Sequence, residues 1–405
     1  MRRVLVPTLL LWPLLAHGGG AGPAPVLGGT DAPAGKWPEV AATLDPDGFH
    51  ECTGTLIAPN VVLTAAHCID ETFHSPASVL VGTNSLARES DGETIAVERR
   101  VKYPNGLRTY DVGVLVLAKE SRFTPRAIAT GWARFDIQNG APVALVGYGA
   151  IDRNGTQYID ELQEAMTTIT DAGCTTSAGC NDLAKPDGEL GAGGMGIDTC
   201  SGDSGGPLYL VTDHGTYLAG VTSRGYADNQ FYCSEGGIYT RPDKVIDWIE
   251  ENAGVPVARG PEPWVLPLVA VRGHVAEGVI DANDPRSERH TFTITTPPQH
   301  GTAAIRDDGR VRVCTDPAYT GADEMTVTVT DASDPKRNVT LVVPIAVEDV
   351  EVGEDGEVGE PGADCDPEDF GDDVGGCCDA GRGASGSGLL ALGVLVALRR
   401  RRRSS

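Results

Sequence analysis

The stretch Asp198-Thr-Cys-Ser-Gly-Asp-Ser-Gly-Gly-Pro207 constrains this chain more than any other. A serine framed by Gly202, Gly205 and Gly206 lies on backbone that other groups can approach closely, which suits a nucleophile better than an ordinary loop. Ser204 is therefore read as an attacking hydroxyl. Because a serine hydroxyl is a poor nucleophile at its free pKa, the reading demands a general base and a group that orients the base. Both candidates lie upstream: His67 in Leu63-Thr-Ala-Ala-His-Cys68, and Asp111 at the head of Asp111-Val-Gly-Val-Leu-Val-Leu117. A lone histidine is usually a surface or satisfied core residue, but Thr64-Ala-Ala before it and Cys68 after it argue otherwise. An aspartate before a strand is usually a solvated turn residue. Here the run that follows reads as a buried strand, so the carboxylate has its far side in the core, where an unpaired charge is costly. An imidazole N–H from His67 would satisfy it and hold the tautomer that accepts the serine proton.

The chain order His67, Asp111, Ser204 in these contexts resembles the trypsin/chymotrypsin-like serine proteases, from about Val26 to about Gly254. The resemblance implies two six-stranded antiparallel barrels with the active site in the cleft between them and a closing C-terminal helix. It makes Gly202 and Ser204 the backbone donors of an oxyanion hole. It also makes Asp198, Ser223, Gly225 and Gly237 a specificity pocket for Arg or Lys, in which a desolvated carboxylate receives a guanidinium bidentately or an ammonium through water. Arg224 departs from the pattern, standing where relatives mostly carry an aromatic; it either repels basic residues further along the substrate or lies flat on the pocket. Tyr226 to Tyr232, before Cys233, is longer than usual. Three disulfides are implied, Cys52–Cys68, Cys174–Cys180 and Cys200–Cys233. The first, closing about seventeen residues, contributes about 3 kcal/mol by the loop-entropy model and pins the segment carrying His67. Cys314, Cys365, Cys377 and Cys378 cannot be paired by arithmetic. Val26-Leu-Gly-Gly29 resembles the N-terminus exposed on activation, whose freed α-amino group would pair with Asp203. Pro25 before it excludes self-cleavage by an enzyme selecting basic residues.

Apart from any resemblance, the strand pattern itself argues an all-β class. Thr53–Ile57, Val61–Leu63, Val143–Gly147, Leu162–Thr170, Pro207–Val211, Tyr217–Ser223 and Gly237–Thr240 are short β-like runs separated by turns. From Pro242 to Asn252 the period changes, with Val245, Ile246 and Ile249 on one face, and predicts a helix. Gly254 to Pro263 is Pro/Gly-rich and reads as a linker, so the catalytic body is expected over 26–256. A small β-sandwich over 257–347 follows, similar to the cadherin-like or Ig-like modules of bacterial surface proteins. Spacer duty is favoured over adhesion to a cell-surface ligand. Asp281-Ala-Asn-Asp284 hints at calcium, but turn chemistry explains it better.

The ends carry targeting signals. Arg2-Arg3 and the apolar run Val4 to Ala16 predict a secretory leader over 1–21, with 22–25 as a short propeptide. Export suits the disulfides. The formal net charge of −25 is unevenly spread: no Lys or Arg occurs from Glu348 to Ala380, and that stretch alone holds over half as many acids as the net excess. Residues 348–376 are expected to be disordered. Residues 377–405 combine Cys377-Cys378, an apolar run and Arg399 to Arg403. They resemble myxobacterial C-terminal sorting tails and imply anchorage at the bacterial cell surface through the membrane. No basic stripe with interleaved aromatics points to nucleic acid, and neither cofactor nor metal is expected. The function implied is a secreted or surface-anchored serine endopeptidase acting on proteins or peptides. Its rivals are a non-catalytic homologue and an adhesin acting through the sandwich.

Overall fold

The computed structural model describes residues 25–69, 75–184, 187–349 and 367–368. The expected leader, nearly all of the acidic stretch beyond Asp349 and the sorting tail lie outside the described residues. Among these residues no helix is long and apolar enough to cross a membrane.

A two-residue strand, β1 (Thr30–Asp31), precedes the first barrel. That barrel closes six strands, β2 (Val40–Leu44), β3 (His50–Ala58), β4 (Val61–Thr64), β5 (Ser78–Val81), β6 (Glu93–Lys102) and β7 (Gly113–Leu117), in the order β2-β3-β4-β7-β6-β5. Every residue of β2 and β7 is buried, as expected of β-branched and small residues covered on both faces. The second barrel comprises β8 (Pro142–Gly147), β9 (Gln163–Asp171), β10 (Glu189–Ala192), β11 (Pro207–Thr212), β12 (Gly215–Gly225) and β13 (Gly237–Thr240). Its order is β9-β10-β13-β12-β11-β8, closed by pairing of β8 with β9, and β1 adds to the outside of β9.

The expected helix is divided. Pro242–Val245 forms a 3-10 turn, which the proline suits, and α1 (Ile246–Ala253) follows. It ends at Gly254, whose φ of 74° is the left-handed cap that glycine supplies without strain. Ile249 is buried on its inner face.

The sandwich has two sheets, β14 (Leu268–Val271), β16 (His290–Thr296), β19 (Gly321–Asp331) and β20 (Asn338–Glu348) against β15 (Val275–Val279), β17 (Gly301–Ile305) and β18 (Arg310–Thr315). Cys314 in β18 is disulfide-bonded. The stretch expected to be a linker is instead held to the catalytic body. Ala258 exchanges backbone bonds with Ile57 and Ile128 at 2.8 Å, Arg259 pairs with Glu250 at 2.8 Å, and Val257 is buried. Its prolines and glycines shape a strap because their neighbours find backbone partners. Beyond it, Trp132 of the catalytic body sits in the sandwich's hydrophobic core and donates from Nε1 to the Ala282 carbonyl at 2.6 Å. Asp136 meets Arg286 at 2.9 Å and Arg337 at 3.1 Å across the same junction.

Candidate active site

His67 lies in the 3-10 turn Ala66–Ile69 just after β4, and the Cys52–Cys68 disulfide ties that turn back to β3. Asp111 precedes β7 and is fully buried. Its Oδ1 accepts the His67 backbone N–H at 3.0 Å, while Oδ2 accepts from His67 Nδ1 at 2.7 Å and from Ser223 Oγ at 2.7 Å. Burial pushes this carboxyl upward, but the histidine and serine donors outweigh it and hold it below the usual range. With Nδ1 donating, Nε2 is left as the accepting nitrogen of the ring.

Ser204 and His67 line one cleft of about 300 Å3, together with Thr199, Ser223, Gly225 and Tyr232. The serine's loop is pressed onto the first barrel: a Cβ on Gly205 would stand 2.0 Å from Thr64 Oγ1, and Gly205 has φ 77°. Only glycine meets both demands. Among the described residues neither the Gly202 N–H nor the Ser204 N–H donates to a protein acceptor, so two donors stand uncommitted beside the hydroxyl. Asp203 between them is fully buried and accepts the N–H groups of Gly149 and Cys200, each at 2.8 Å. Burial pushes its carboxyl up to about 7, and the nearby charge of Asp198 adds to the rise. No cationic side chain among the described residues pairs with it.

Val26 is also fully buried, at φ 27°, on the left-handed side that a β-branched residue adopts only under strain. Its neighbour Leu27 accepts the Asp198 N–H at 3.1 Å, which ties this segment to the floor of the site. Asp198 itself is buried, and its Oδ2 accepts the N–H groups of Ser234 at 2.8 Å and Gly236 at 3.0 Å. Burial nonetheless raises this carboxyl to about 6. A Cβ on Gly237 would stand 3.7 Å from Asp198 Oδ1. The cleft is lined by Thr199, Ser223, Arg224 and Gly225, and Asp198 is not among its lining residues. The long segment after Gly225 folds back over this region: Asn229 Nδ2 donates to the Gly236 carbonyl at 3.2 Å, and Phe231 lies under Arg153 at 5.0 Å.

Arg224 lines the cleft, but with its cation committed to partners of its own. Its guanidinium grips Glu189, Nη1 to Oε1 at 2.8 Å and Nη2 to Oε2 at 3.0 Å, and also donates to the Gly179 carbonyl and to Ser223 Oγ. The cation is therefore matched by a carboxylate and is not free to repel a basic substrate.

The family model described as Trypsin matches residues 26–249. The chain belongs to the trypsin family of serine proteases. Among curated trypsin-family relatives, the chymotrypsin-like elastase family member 1 of Macaca fascicularis is 31% identical over 245 residues, covering 56% of this chain and 90% of the relative. Its counterpart in Felis catus is 32% identical over 243 residues, covering 56% of this chain and 88% of the relative. A second family model, described as Bacterial Ig domain, matches residues 265–344. Among solved structures, the secreted serine protease VesC from Vibrio cholerae aligns with 81% of this chain and 73% of its own at 19% identity, with a TM-score of 0.45.

Two features of this trypsin-family site escaped the sequence. Glu189 opens a short strand with no local mark of function, and its link to Arg224 spans 35 residues. Ser223, expected in the substrate pocket, is also a donor to Asp111. The adjacency of β10 and β12 through β13 reveals the first, and the approach of β12 to the segment before β7 reveals the second. The three expected disulfides are all formed, a feature consistent with an extracellular protein.

Proposed function

We propose that this serine protease is an active endopeptidase in which Ser204 attacks the scissile carbonyl, His67 takes its proton through Nε2, and Asp111 holds the ring and stabilises the imidazolium. The observation that carries this reading is the 2.7 Å contact of His67 Nδ1 with a fully buried Asp111, beside a cleft that His67 shares with Ser204. The uncommitted N–H groups of Gly202 and Ser204 would receive the oxyanion as the tetrahedral intermediate forms. His67 then returns the proton to the leaving amine, and water repeats the sequence on the acyl-enzyme.

In this reading the preferred bond follows Arg or Lys, with Asp198 as the counter-charge at the end of the pocket and Ser223, Gly225 and Gly237 as its walls. Activation proceeds by a cut before Val26. That cut removes the preceding carbonyl that makes φ 27° a strained torsion, and it frees an ammonium for Asp203. Another exported peptidase makes it, because Pro25 is unsuited to a pocket that selects basic side chains. Export by the leader and surface anchorage by residues 377–405 complete the proposal, with the sandwich as a spacer. A second reading, elastase-like preference, is favoured by the elastase names of the relatives and by the absence of Asp198 from the residues lining the cleft.

Labelling of the processed protein by a fluorophosphonate tests the catalytic assignment, with loss of label in Ser204→Ala as the expected control. A peptide library then separates the two preferences: cleavage after Arg and Lys supports the first, and cleavage after small apolar residues overturns it.

A further inference from the structure

Resting on the proposed triad, the geometry points to the Glu189–Arg224 ion pair as a positioning device for the His67–Asp111 dyad. A serine hydroxyl has one proton to give. Ser223 Oγ gives it to Asp111 Oδ2 at 2.7 Å while accepting from Arg224 Nη1 at 3.0 Å. A hydroxyl that accepts from a cation and donates to an anion is polarised and locked in one rotor state, so Arg224 fixes the direction of the Ser223 bond to Asp111.

Arg224 is in turn immobilised. Besides the bidentate grip of Glu189, it donates to the Gly179 carbonyl at 2.8 Å, within the loop closed by Cys174–Cys180. Glu189 is 2% exposed and also accepts the Asn181 N–H at 2.7 Å, so the anchor cannot swing away. Outward from the imidazole the charges alternate: Asp111 negative, Arg224 positive, Glu189 negative. Two consequences follow. The pair holds Asp111 rigid, and its near member places a positive charge close to the ring that must become cationic during catalysis.

The other ionisable groups packed around this chain of contacts are accounted for. Tyr110 flanks Asp111, its hydroxyl pushed up by burial and by Tyr103, Asp243 and Glu189. Asp243 is paired with Arg241 at 2.7 Å. Asp171 on β9 is satisfied by the N–H groups of Thr175, Thr176 and Ser177. Tyr226 bonds Thr170 at 3.1 Å, and Asp198 is held from below by Ser234 and Gly236. Among the described residues Arg224 is thus the one cation in contact with Ser223.

The test is a pH profile of kcat/KM on the processed full chain with a small ester substrate, for wild type, Glu189→Gln, Arg224→Met and the double variant. Each is normalised by fluorophosphonate titration so that only correctly folded sites count. Arg224→Met leaves the Glu189 charge unmatched near the imidazole, and the acidic limb should move to higher pH by roughly half a unit. Glu189→Gln leaves the Arg224 charge unmatched, and the limb should move down by a similar amount. The double variant should return toward wild type. In Arg224→Met, kcat should fall roughly tenfold with KM little changed, the expectation for a charge-assisted hydrogen bond lost from the catalytic apparatus. Arg224→Lys should restore the position of the limb and part of kcat. Limbs that move in one direction in both single variants, or not at all, would overturn the proposal while leaving the triad intact. Failure of the wild type to take the label would instead overturn the triad and the proposal with it.

Discussion

The His67–Asp111 side of the site, its wall, and the Asp198–Asp203 segment, its floor, hold buried aspartates in opposite states. Asp111 in the wall has two side-chain donors and a backbone donor, and its carboxyl is held below the usual range. In the floor, Asp203 and Asp198 receive backbone N–H groups alone, and burial raises them to about 7 and about 6. The degree of burial is similar, so the difference lies in the partners. The wall has its partners in place, whereas among the described residues neither floor carboxylate is paired with a cationic side chain. On the proposed reading one cation is the chain's own freed α-amino group and the other belongs to the substrate. Catalysis would then be held ready by the wall and released by the floor.

Four measurements would break or sharpen that contrast. The largest effect belongs to the wall: Ser204→Ala should lower kcat by about six orders of magnitude, and ordinary turnover by purified variant would end the assignment.

Next comes Asp203 in the unprocessed chain. Its proton favours the folded state because the folded pKa, about 7, lies above the usual 3.8. That stability is full below pH 3.8 and disappears as pH rises to about 7, a change on the order of 4 kcal/mol. Urea unfolding of unprocessed Ser204→Ala protein across this window should show the decline. The processed chain should not if its ammonium meets the carboxylate, and identical profiles would count against the pairing.

A smaller effect is expected from Asp198→Ser, which should abolish any preference for Arg and Lys, worth about 2–5 kcal/mol for an unmatched charge pair. Retained preference in a peptide library would locate the selecting charge elsewhere.

The smallest is a titration. Inhibition by a small aromatic amidine should weaken about tenfold for each pH unit below about 6, as Asp198 takes up its proton. An inhibition constant flat between pH 5 and 7 would show that the amidine does not meet this carboxylate.

The legible parts of this molecule were those whose chemistry is local in sequence. Ser204 with its glycines, His67 before Cys68 and Asp111 before a buried strand each announce themselves within ten residues, and Asp111 and His67 do meet. The all-β class was legible from turn-spaced apolar runs. The strand Glu93–Lys102 was not, because much of it faces solvent and carries charges, with only Ile95 deeply buried. The strand Glu189–Ala192 has four residues and two of the least informative kinds, Gly191 and Ala192. The role of Arg224 was illegible for a different reason. A cation beside a pocket has opposite meanings according to whether a carboxylate faces it, and Glu189 arrives from another strand. The strap at 254–263 misled because Pro and Gly describe how a backbone turns without saying what it bonds to.

The strap and Trp132 together decide how mechanical load would reach the enzyme. A pull on the end of β20 at Glu348 enters the sandwich, crosses to the catalytic body at Trp132 and Asp136, and is shared by the bonds that hold Ala258 and Arg259 against that body. None of these points belongs to the residues lining the cleft. Tension applied through the sandwich would therefore be carried by contacts outside the set of residues that line the cleft with His67 and Ser204.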